Sequence, residues 1–109
     1  MNDGLWIIEF WSPLGLFGKG IMVVDGERVL GGDFGYYYSG QCKFDNGSIK
    51  GEINVIRFDP SAISVFGDVE SFTLSLLGKM QGTHFTGQAT SDDFPDLKME
   101  IKGSKREDL

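Results

Sequence analysis

The chain has 109 residues, 40% of them apolar and 24% charged, a balance that suits one folded domain over residues 1–109 and is too short for two. Its net charge is −6, and the densest basic run, Lys102 to Arg106, is followed at once by Glu107 and Asp108. That points away from nucleic acid, whose binders need a basic patch to displace counterions from phosphates. The lone cysteine, Cys42, cannot form an internal disulfide, so a reducing compartment is expected. The start Met-Asn-Asp-Gly lacks a basic n-region, and the apolar stretch from Leu5 to Trp11 is broken by Glu9 and followed by Pro13. Neither a signal peptide nor a membrane span is expected, and the expected location is the cytoplasm.

Sixteen glycines recur every few residues between short apolar runs. Interior glycine costs a helix about 1 kcal/mol relative to alanine, so the spacing disfavours helices. Alternation is the dominant pattern instead. The first predicted strand, Leu5 to Trp11, is apolar on both faces: Leu5, Ile7 and Trp11 share one parity, and Trp6, Ile8 and Phe10 the other. One set should line a core, and the other forms an apolar outer patch that a partner or second subunit would cover.

Two strands follow, Phe17 to Val24 and Glu27 to Leu30, joined by Asp25-Gly26 as a type I′ turn. Next comes a strand near Tyr36 to Phe44, turned by Asp45-Asn46-Gly47 into one near Ser48 to Arg57. Ile49, Gly51, Ile53 and Val55 alternate there with Lys50, Glu52 and Asn54. Phe58 to Asp68 reads as the longest loop, with Pro60, Ser61 and Ala62 able to start one helical turn.

The cleanest alternation is Phe72, Leu74 and Leu76 against Ser71, Thr73 and Ser75. Phe85, Gly87 and Ala89 oppose His84, Thr86 and Gln88, and Leu97, Met99 and Ile101 oppose Lys98, Glu100 and Lys102. Gly78 to Gly82 and Ser91 to Asp96 read as turns between these strands. The result is an all-β chain of about eight strands with short connections, which favours an antiparallel up-and-down barrel; a two-sheet sandwich is the alternative. Gly18, Gly20, Gly51 and Gly87 suit the coiling of a small barrel.

The chemical inventory is thin, and no enzyme is expected. His84 falls on a polar strand face, and one cysteine with one histidine cannot assemble a zinc site. Asp92, Asp93 and Asp96 lack the spacing of a calcium loop and read as a solvated turn. The glycine-rich stretches match no phosphate-binding fingerprint. No cofactor is expected.

The most unusual segment runs from Gly31 to Gly40: Gly31-Gly32-Asp33-Phe34-Gly35-Tyr36-Tyr37-Tyr38-Ser39-Gly40. Tyr36 and Tyr38 share one strand face and Tyr37 takes the other, where an apolar ring with a polar tip suits binding. The pattern of Gly18, Gly20, Asp25-Gly26, Gly31-Gly32-Asp33, Tyr36, Tyr38 and Gly40 resembles the GrlR-type family of small bacterial negative regulators of type III secretion. Gly51 to Val55, Phe66-Gly67, Phe72 to Leu74 and Phe85 to Gly87 fit the same pattern, so the resemblance spans roughly Leu5 to Thr90.

The resemblance implies a calycin-like (lipocalin-like) barrel that forms a homodimer and restrains a transcriptional activator by binding the activator protein. It also implies an interior able to hold a small apolar, lipid-like ligand. Activator binding in that family is attributed to an exposed acidic run. The hairpin Phe44 to Ser48 carries one acid, Asp45. Leu5, Ile7, Trp11, Tyr37 and Asp45 are therefore the candidate partner and dimer residues.

Overall fold

The computed structural model describes residues 2–13, 15, 17–63 and 69–109. Eight strands run in order: β1 (Gly4–Trp11), β2 (Phe17–Asp25), β3 (Arg28–Gly32), β4 (Tyr36–Asp45), β5 (Ser48–Arg57), β6 (Ser71–Gln81), β7 (His84–Ser91) and β8 (Phe94–Asp108). Each pairs antiparallel with its sequence neighbours, and β1 pairs β8 from Gly4↔Asp108 to Trp11↔Glu100, so the sheet closes. This is a calycin-like up-and-down barrel; the sandwich alternative is excluded by that closing pair. Closure removes the open edges of a flat sheet, and only strand ends, such as residues 17–20 of β2 and 71–74 of β6, extend past a neighbour among the described residues.

Three connections at one end are two-residue turns. Asn46 and Gly47 both have positive φ (51° and 83°) between the paired residues Asp45 and Ser48, which makes the hairpin expected there a type I′ turn. The first hairpin differs from expectation. Its central pair is Gly26-Glu27, with Asp25 paired to Arg28, and positive φ occurs at Gly26 alone. That is the pattern of a type II′ turn, where glycine takes the first central position. Gly82-Thr83 repeats it. The expected turn from Gly78 therefore shrinks to two residues, and Gly78 sits within β6 opposite Gly87.

The connections at the other end are less uniform: 12–16, 33–35, 58–70 and 92–93. In the third, Ala62 N–H donates to Asp59 O at 3.0 Å, closing the single turn expected near Pro60. Residues 64–68 of that expected loop, including Phe66-Gly67, lie outside the described residues, as does the Leu97 side chain. The last strand is longer than its alternation suggested and takes in the basic run Lys102 to Arg106. Its register shifts beside Ser91 and again beside Leu5. Pro95 falls in the first irregularity, where no ladder N–H is required of it.

The expected alternation holds: Ile49, Ile53, Val55, Phe72, Leu74, Leu76, Phe85, Ala89, Met99 and Ile101 are all buried, and the glycines of the same faces, Gly51 and Gly87, are half-buried. In β1 the ambiguity resolves with Trp6 and Ile8 inside, Phe10 packed against the core, and Leu5, Ile7 and Trp11 outside. The turn-rich end is filled. Trp6, Val24 and Val29 are fully buried there, and the Trp6 and Phe85 rings meet at 5.5 Å. Trp6 Nε1–H donates to Asn2 O at 2.9 Å, meeting the need of a buried indole for an acceptor. A void of about 10 Å³ remains in this half, too small for a ligand. Two inward glycines lie under aromatic rings, Gly18 beneath Phe10 and Gly103 beneath Phe85, and a Cβ at either would overlap the ring.

Candidate functional site

The opposite half of the barrel is hollow. A cavity of about 240 Å³ is walled by Ile8, Met22, Ile53, Val55, Phe72, Leu74, Leu76, Met99 and Ile101, among others. Phe17, Phe34 and Ile63 stand at its mouth, and all three are exposed. An engineered cavity of about 150 Å³ holds benzene, so this one suits a ligand on the order of ten heavy atoms.

One corner of the wall is polar, and the segment Gly31 to Gly40 builds it. Asp33 follows β3 and turns the chain toward β4. Its Oδ1 accepts from Gly35 N–H at 2.9 Å and Tyr36 N–H at 2.8 Å, an Asx turn that fixes the corner. Its Oδ2 accepts from the Tyr38 phenol at 2.5 Å. Tyr36 O–H donates to Val69 O at 2.6 Å, tying the wall to the 58–70 connection. That connection lies directly on Gly35: Phe58 N–H donates to Gly35 O at 3.0 Å, and a Cβ on Gly35 would overlap Ala62. Burial, then the hydrogen bond and negative charge of Asp33, push the Tyr38 phenol far above its usual range. It is a neutral hydroxyl at any physiological pH.

The remaining motif residues have structural duties. Gly31 and Gly40 sit where a Cβ would meet the backbone of Ile21 and Glu52 respectively. Gly32 pairs with Ile21 on one side and Tyr37 on the other.

Tyr37 points outward, as the alternation required. It shares an outer row with Ile7, Ile21, Gly32 and Ile56, and the adjacent row carries Leu5, Val23 and Leu30. Leu5, Ile7 and Tyr37 thus lie on one contiguous apolar face. Ile21, Val23, Leu30 and Ile56 complete it, and the single-strand parity argument missed them because the face is assembled across five strands. Trp11 stands apart, its ring tilted at 49° against Phe17 with centroids 5.2 Å apart near the mouth, and it is separated from Ile7 along β1 by Glu9. Glu9 Oε2 lies 3.9 Å from Lys19 Nζ, an exposed pair. Asp45 ends β4 six residues beyond Ser39, which faces Leu30, and it occupies the turn-rich end.

His84 is exposed, and Cys42 is buried with its thiol pushed up to about 11 by desolvation. Among the described residues no group of three or more histidines, cysteines and acids could hold a metal. The sequence left open whether the interior is filled or hollow, because inward apolar residues look alike whether they fill space or line it. A usable signal was present in Phe34 and Ile63, large apolar residues in connections where water should favour polar ones.

Fold and site together define a class: a calycin-like barrel with one filled end and one open, apolar interior. No family model matches the chain, and no curated protein matches it.

Proposed function

We propose that the protein binds a small, predominantly apolar ligand inside the barrel. The observation that carries this reading is the 240 Å³ cavity with apolar walls and an open, apolar mouth. Concave apolar sites with a few convergent polar groups are the usual form of small-molecule sites. The test is binding of 1-aminonaphthalene, a solvatochromic fluorophore small enough for this cavity and neutral near pH 7, with native mass spectrometry of protein purified from cells. Blue-shifted emission that saturates, or a co-purified mass, is expected. No dye binding and no bound mass would overturn it.

A second reading rests on the outer face of β1 to β5. Ile21, Leu30 and Tyr37 are exposed there, beside half-buried Leu5, Ile7, Val23 and Ile56. A contiguous apolar face of this kind marks an interaction surface. It supports the homodimer, and with it the protein-binding regulatory role implied by the likeness to the GrlR-type regulators. The test is oligomeric state in solution, taken up in the Discussion.

A further inference from the structure

The cavity wall also constrains the ligand's head group, an inference that rests on the ligand-binding reading above. Both phenolic protons in the wall are already committed, Tyr38 to Asp33 Oδ2 and Tyr36 to Val69 O. Each phenolic oxygen can still accept. The Asp33 carboxylate takes three donors, from Gly35, Tyr36 and Tyr38, which leaves about one of its four acceptor positions open. The N–H groups of Gly35 and Tyr36 at this corner are already taken by Asp33 Oδ1. The polar corner therefore offers acceptors and negative charge.

Two cations stand near the mouth, and neither reverses this. Lys19 lines the rim of the cavity, where its largely exposed ammonium lies beside Glu9 and over the Phe17 ring at 5.7 Å. Arg57 donates from Nη1 to Ala62 O at 3.2 Å and braces the 58–70 connection. A ligand carboxylate seated at the Asp33 corner would lose its hydration beside a like charge, which is strongly unfavourable.

We propose that the cavity selects a small apolar alcohol or amine, its head group donating a hydrogen bond to the Asp33–Tyr38 corner, and rejects carboxylates of the same chain length. The raised Tyr38 pKa agrees with this, because the phenol remains protonated and bound to Asp33.

The experiment is displacement of 1-aminonaphthalene from the full chain near neutral pH by 1-octanol, octylamine and octanoate, each below its micelle concentration. Octanol and octylamine should displace at concentrations at least about tenfold lower than octanoate, a factor of ten being one lost hydrogen bond or one repelled charge. Asp33→Asn should narrow that ratio by admitting octanoate, and Tyr38→Phe should weaken octanol, with circular dichroism confirming the fold of each. Octanoate displacing as well as octanol from the wild-type protein would overturn the head-group proposal and leave the cavity reading standing. Failure of the dye to bind at all would overturn both.

Discussion

Tyr38 donates its phenolic proton to Asp33 Oδ2 across 2.5 Å, joining the cavity wall to the corner between β3 and β4. The same carboxylate holds the Asx turn through Gly35 and Tyr36. Asp33→Ala should therefore cost more than the one phenol contact, about 2–4 kcal/mol in urea unfolding, against about 1–2 for Tyr38→Phe. The double mutant should cost less than the sum of the two, with a coupling of about 1 kcal/mol or more. Additive effects would show that the two residues act independently.

The two halves of the barrel should respond oppositely to added volume. Val55 lines the cavity, and Val29 is fully buried in the filled end. Val55→Phe should leave stability within about 1 kcal/mol of wild type and abolish most dye binding, because the ring enters open space. Val29→Phe should cost about 1–3 kcal/mol, the usual effect of overpacking a filled core. Chemical denaturation and dye titration of both variants check this together.

The outer face makes a separate prediction. Wild-type protein should sediment as a dimer at micromolar concentration. Ile21→Lys places a charge at the centre of the face, at a side chain 48% exposed in the single chain. It should give a monomer with unfolding stability, measured on the monomer, shifted by no more than about 0.5 kcal/mol. A wild-type monomer would remove the second reading.

Cys42 gives the pH dependence. Burial raises its thiol from 9.0 to about 11 in the folded chain, so between those values the unfolded chain has lost a proton that the folded chain retains. The folded state then binds more protons, and stability falls as pH rises through that window. Below 9.0 both states hold the proton and this contribution is flat. Cys42→Ala should flatten the decline in thermal or urea melts. A thiol reagent should modify native Cys42 slowly at neutral pH and react at an ordinary rate once urea unfolds the chain.

Much of the barrel was legible before any coordinates. Ser71 to Leu76 alternates without exception, and Asn46-Gly47 can hardly be anything but a type I′ turn, because both positions need positive φ. These are local properties of backbone and side chain, so the chain declares them locally. Turn limits were less legible. Gly78 looked like a turn residue, yet it is held in β6 by close approach to Gly87, a contact made only after the strands pair.

The sequence by itself determined the strands, the inward faces of those that alternate and the meander order, through a two-residue period and turn-specific residues; the inward face of β1 waited for the structure. Which half of the barrel is filled was decided by tertiary structure alone. Phe72 and Phe85 have the same alternation and the same burial, and both rings touch the cavity wall. Closure then brings Phe85 against Trp6, while Phe72 meets Tyr36 and Phe94 at 6.3 Å beside open space. The outer apolar face and the double duty of Asp33 arise the same way. Both depend on which residues the register sets side by side, and no single strand carries that information.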